Sequence, residues 1–212
     1  HSTASVKKHH TYMRACLKEA LADGIIHKDP TFNVVAVGKV AQKDEEIKYL
    51  NYEEVAKLLR VTAENLQPRY ISRYIILFAL ATGARFSEII GLTWDCVDFE
   101  NKTITINKTW DHKYKKGFDN TKNYASKRTI TIDEHTLSIL KDLKLKQTEL
   151  ALKTGLRNEH NLVFVNSKFE LVTNNAVNKT LRMLCKRAKI KEITCHGLRH
   201  THASMLLFKG VN

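Results

Sequence analysis

Two arginines, a lysine and a histidine stand in three short stretches where their types and spacing could do chemistry. The first stretch is Ala81-Thr82-Gly83-Ala84-Arg85-Phe86-Ser87-Glu88-Ile89, in which an arginine follows an apolar run and a glycine break. A guanidinium at the edge of a packed core is costly to desolvate unless an anion meets it. Glu88, three residues on along a helix face, could be that anion, and so could a ligand. The second is Thr121-Lys122, with Ser126-Lys127-Arg128 behind it. A lysine at the tip of a hairpin is ordinarily just solvated, so this stretch says little by itself. The third is Cys195-His196-Gly197-Leu198-Arg199-His200. Spacings of three and four put His196, Arg199 and His200 on one side of a helix. Histidines with no function are the plain reading of such a cluster. Zinc is the tempting one, but HExxH and a second cysteine at ligand spacing are missing, and Arg199 would repel the metal.

Joined together, the stretches suit attack on a phosphodiester. Two guanidiniums can take the charge that builds on the non-bridging oxygens. A lysine can protonate the leaving sugar oxygen, and an imidazole can accept the proton of the incoming nucleophile. No carboxylate cluster for a divalent metal stands among these motifs, which argues against a two-metal nuclease.

The charge balance points the same way. The 212 residues hold 35 Lys+Arg against 22 Asp+Glu, a formal charge of +13. The excess is clustered: residues 101–128 carry eight Lys/Arg and two Asp, and residues 179–191 carry six Lys/Arg and no acid. Clustered cations favour a polyanion, because neutralised phosphates release condensed counterions. Lys108, Lys113, Lys115, Lys116, Lys127 and Arg128 in the first window are the candidate DNA contacts, with Lys179, Arg182, Lys186 and Arg187 in the second. A solvated lysine-rich surface is the alternative. No apolar run is long enough to span a bilayer, residues 1–20 do not look like a signal peptide, and Cys16, Cys96, Cys185 and Cys195 lack CxxC spacing. Reduced thiols in a cytosol, near the nucleoid and away from membranes, are therefore expected.

The elements that must position these groups can be read from periodicity. Val6, Met13, Leu17, Ala20 and Leu21 predict a helix from Thr3 to Ala22, stopped by Asp23-Gly24. Residues 1–30 read as the last helix of one domain, 31–48 as a linker and 49–212 as a second domain. Asn51 with Glu54 predicts a capped helix start, and Tyr70–Thr82 is apolar almost all round, so it is a buried central helix. Thr103–Asn107 and Thr129–Ile132 alternate as strands joined by a long basic hairpin connection. Leu162–Val165 predicts a further short strand, and helices are expected from Glu134, from 174 to 188 and from about Gly197. The class is α+β and predominantly helical, with a small antiparallel hairpin or sheet.

These motifs resemble, in order, those of the tyrosine recombinases of the phage-integrase family. ATGARFSEIIGLTW looks like the first catalytic box, TKNYASKRTITI like the lysine-bearing hairpin, and HGLRHTHASMLL like the second box. The resemblance implies the catalytic-domain fold of that family and a metal-free, cofactor-free DNA strand exchange through a 3′-phosphotyrosyl intermediate. It implies that Arg85 and Arg199 clamp the scissile phosphate, Lys122 is the general acid and His196 the general base. Glu88 and His200 would support them, and residues 3–30 would close a core-binding domain. It also implies a homotetramer on two double-stranded DNA sites, with accessory factors, in a phage or other mobile element. A type IB topoisomerase-like transferase and a non-catalytic DNA-binding relative are the alternatives. The family's tyrosine follows the second box, whereas all seven tyrosines here precede it. The chain is therefore expected to be a fragment that is inactive without its nucleophile, which would lie beyond Asn212.

Overall fold

The computed structural model describes residues 1–40, 49–111, 117–120, 127–208 and 210. The chain forms two compact units, residues 1–45 and 46–212. In the first, Ser2 caps α1 (Thr3–Ala22) by accepting from the Ser5 amide, and the Thr3 amide donates to the Val40 carbonyl. No residue of α1 is buried, and Tyr12 and Met13 on it are exposed.

The second unit is built around one buried helix. Reciprocal bonds between Asn51 and Glu54, both 2.9 Å, start α2 (Tyr52–Ala63) as the sequence predicts. The helix α3 (Ile71–Thr82) carries apolar side chains on every side because neighbours cover every side. It packs against α2, the short α4 (Phe86–Ile90), α5 (Glu134–Thr154), α6 (Asn174–Ala188) and α7 (Cys195–Phe208). Gly83, at φ 60°, ends α3 in the left-handed conformation that a glycine adopts at little cost.

Between α4 and α5 the described residues form five short strands. In one antiparallel sheet, β2 (Thr103–Ile106) runs between β1 (Val97–Asp98) and β5 (Arg128–Thr131), with Ile104 opposite Ile130 and Ile106 opposite Arg128. The connection expected as one long polar hairpin contains its own ladder, β3 (Lys108–Asp111) paired with β4 (Gly117–Asn120). An apolar pair holds it: Trp110 is buried, edge-on to Phe118 at 5.0 Å, with His160 5.1 Å away. Gly91, at the end of α4, lets β3 dock. A Cβ there would come within 2.7 Å of the Thr109 backbone.

Leu162–Val165 is buried throughout but is not a strand. Its links are one bridge to Thr93, the Val163 amide on the Leu92 carbonyl, and side-chain bonds from Asn158 and Gln147. Apolar character came from burial against Phe78 and its neighbours, and polar side chains satisfied the backbone where no sheet partner did. Trp94 is a core residue, and its indole N–H donates to Gln147 at 3.1 Å. Among the described residues no helix is long and apolar enough to cross a membrane.

Candidate active site

Arg85 is the N-cap residue of α4, and Glu88 one turn later turns back toward it. The Arg85 amide donates to Glu88 Oε2 at 2.9 Å, and its Nη1 donates to Oε1 at 2.8 Å. A second guanidinium reaches the same carboxylate from β5, where Arg128 Nη2 donates to Oε2 at 2.9 Å. The Glu88 side chain is 1% exposed, against 45% for Arg85 and 28% for Arg128. Burial would push the Glu88 carboxyl up. The Arg128 bond and the two Arg85 bonds overcome it and hold the group below the usual carboxylate range. The ion pair that the spacing suggested is thus real but unbalanced, since one anion serves two cations.

Arg199 completes the cluster from α7. Its Nη1 donates to the carbonyl of Gly83, the residue between α3 and the Arg85 turn. Burial, then the Arg85 and Arg128 charges, push its pKa down, and Glu88 partly offsets them. A guanidinium stays a cation through such a shift, so an incoming anion relieves a repulsion already present.

The N-terminus of α7 is fixed at two points. The Cys195 amide donates to Asn178 Oδ1 at 2.7 Å, and the Gly197 amide to Thr194 Oγ1 at 3.3 Å. His196 is exposed, edge-on to His200 with ring centroids 4.7 Å apart. Partial burial, then His200, Arg199 and Arg85, hold its pKa below the ordinary 6.5. It is a neutral imidazole at pH 7 and can accept a proton. Cys195 points into the core, where burial raises its thiol to about 11. Among the described residues no three His, Cys, Asp or Glu side chains are grouped to hold a metal.

The sequence marks Gly83 only as a helix stop and gives His202 no role, and both matter here. His202 Nδ1 sits 2.8 Å from the Leu80 carbonyl, and its ring lies against Gly83, where a Cβ would come within 2.6 Å of Cδ2. Gly83→Ala would meet that ring and a left-handed backbone together. It is expected to destabilise the fold by about 2–3 kcal/mol and to displace the carbonyl that seats Arg199. Chemical denaturation of the variant measures the first effect.

Lys122 lies in 121–126 and Lys113, Lys115 and Lys116 in 112–116, outside the described residues. Lys108 pairs with Asp95 at 3.6 Å and lies over the Phe118 ring. The basic face of α6 is partly neutralised by acids outside its own window. Arg182 and Lys186 both face Glu192, and Arg187 pairs with Glu64. Lys179 and Lys127 are exposed. Lys108, Arg182, Lys186 and Arg187 thus each meet an acid that the fold brings in from outside their own stretch of sequence.

Arg85 and Arg199 thus gather beside a buried carboxylate, with His196 near enough to feel both charges, and together they form the candidate site. Residues 48–212 match the phage integrase family, and the chain belongs to that family. It is 27% identical to the integrase of Staphylococcus phage L54a, covering 97% of this chain and 63% of that protein. It is also 27% identical to a tyrosine recombinase XerC-like protein of Caldanaerobacter subterraneus subsp. tengcongensis, covering 99% of this chain and 57% of that protein. The chain thus spans less than two-thirds of either relative. The integrase of the transposon Tn1549, solved in complex with circular intermediate DNA, shares the fold with a TM-score of 0.78 at 20% identity, covering 100% of this chain and 69% of that one. The XerA recombinase crystal structure matches with a TM-score of 0.56 at 25% identity, over 77% of this chain and 52% of that one.

Proposed function

We propose that this chain is the strand-cleaving domain of a site-specific DNA recombinase that works through a 3′-phosphotyrosyl intermediate. The observation that carries the reading is that Arg199 is seated on the Gly83 carbonyl, two residues before Arg85, while one buried carboxylate, Glu88, pairs with both Arg85 and Arg128 and leaves excess positive charge. A tyrosine hydroxyl from outside these residues gives its proton to His196 and attacks phosphorus. The phosphorus–O5′ bond breaks as the tyrosyl–phosphorus bond forms, and Lys122 protonates the departing 5′ oxygen. A 5′ hydroxyl then reverses the step on a partner strand, which keeps the bond energy. Arg85 and Arg199 hold the non-bridging oxygens throughout. Residues 1–30 end a core-binding domain, and the working assembly is a homotetramer on two DNA sites with accessory factors, in a bacterial cytosol. The integrase and recombinase relatives support this reading, and so do the neighbours solved with DNA.

The histidine geometry yields a test. As a general base with a depressed pKa, His196 should give a cleavage rate that rises with pH, with the midpoint of the rise below pH 6.5. Its facing charges are His200, Arg199 and Arg85, so His200→Gln should shift the rising limb to higher pH. A single-turnover pH profile in the protein extended beyond Asn212 checks this. A limb that stays put, or one above pH 8, would remove His196 from the role.

A further inference from the structure

The carboxylate at the centre of the site is held from two directions, and one of them lies outside both catalytic boxes. Glu88 is almost fully enclosed, so water cannot satisfy its oxygens. Oε1 takes the Arg85 guanidinium, and Oε2 is shared by the Arg85 amide and Arg128. Without Arg128 the guanidinium of Arg85 is the carboxylate's one remaining side-chain partner in this triad. We propose that Arg128 is a positioning residue: from β5 it holds Glu88 Oε2, and so fixes the carboxylate whose Oε1 seats the Arg85 guanidinium.

This inference rests on the strand-cleavage reading above. Its geometry is well supported by the sheet. Arg128 lies opposite Ile106, which is 3% exposed, and β5 pairs with β2 along its whole length. Strand alternation puts Arg128 on the half-buried side with Ile130, while Thr129 and Thr131 are exposed. Arg128 also lies close enough to Arg199 to act on its charge. Three guanidiniums therefore surround one carboxylate, a local charge of about +2 before a phosphate arrives. An arginine spent this way differs from one laid along a DNA backbone: it acts on the reacting groups through Glu88.

The test uses the protein extended through its nucleophile, with Arg128→Met, Glu88→Gln and the double variant. Single-turnover cleavage is measured at saturating DNA, and DNA affinity is measured across a salt series. Arg128→Met should lower cleavage by roughly 10²-fold, the size of effect a displaced catalytic group gives. Affinity and its salt slope should be unchanged, and the double variant should be no slower than the slower single one. Wild-type cleavage by Arg128→Met would overturn the proposal. So would additive effects in the double variant, or a salt slope reduced by about 0.9, the mark of one lost phosphate contact. If the methionine variant does not fold, Arg128→Lys carries the test. Slower cleavage at unchanged affinity supports the role, and weaker affinity with unchanged saturated cleavage refutes it. Absence of cleavage by the unsubstituted protein would refute the strand-cleavage reading and this inference together, and that control separates the two failures.

Discussion

Arg199→Ala is expected to slow strand cleavage by at least about 10³-fold, since a guanidinium aimed at a transferring phosphoryl group is worth about 10³–10⁵. The variant should still fold. The side chain is partly exposed, and its contact with the fold is one hydrogen bond to the Gly83 carbonyl, worth about 1 kcal/mol. Rate and stability are therefore expected to separate. A denaturation midpoint close to wild type beside a near-absent cleavage product is the predicted pair of results. A large stability loss would instead make Arg199 a structural link between α7 and the turn after α3.

Glu88→Ala is expected to do the reverse and cost both. Removing one partner of a buried ion pair costs about 3–5 kcal/mol. Because Arg85 and Arg128 both reach solvent, the loss here should fall near 3 kcal/mol, at the lower end of that range. For a chain of this size that lowers Tm by about 6–12 °C. The pH dependence has a definite sign. The folded carboxyl titrates below its ordinary 4.5, so its contribution is complete above that pH and is lost as pH falls through the folded pKa. Wild-type protein should therefore lose stability on acidification more steeply than Glu88→Ala. Denaturation curves between pH 3 and pH 7 compare the two directly, and parallel curves would remove Glu88 from the electrostatic centre.

Much of this was legible in the residues. The Asn51–Glu54 cap, the all-apolar Tyr70–Thr82 run and the stop at Gly83 each follow from local chemistry, and each appears as expected. The TITIN and TITI segments pair as antiparallel neighbours because their β-branched alternation matches a half-buried sheet. Arg85 and Glu88 are close in sequence, so their contact could be read from helical spacing. Arg128 could not be assigned that way. It stands 40 residues from Glu88, and it sat inside a basic run that looked like a DNA face. One signal was available: alternation puts it on the same side of β5 as Ile130, facing inward. His202 was hidden for a similar reason, since nothing local shows that its ring packs against a glycine 119 residues earlier in the chain. Leu162–Val165 shows the opposite limit. A buried apolar run of four residues fits strand and irregular core segment equally, and side-chain bonds from Gln147 and Asn158 take the place of a sheet partner.

Under the proposed function, Arg85, His196 and Arg199 act together on a scissile phosphate attacked by a tyrosine. The most direct measurement incubates the protein extended beyond Asn212 with a nicked suicide DNA substrate, without divalent metal, and looks for a covalent protein–DNA adduct on a denaturing gel. The expected result is an adduct through a 3′-phosphotyrosine that vanishes in Arg199→Ala while DNA binding persists. DNA binding without any adduct from the unsubstituted protein would contradict it and leave a DNA-binding relative that does no strand chemistry.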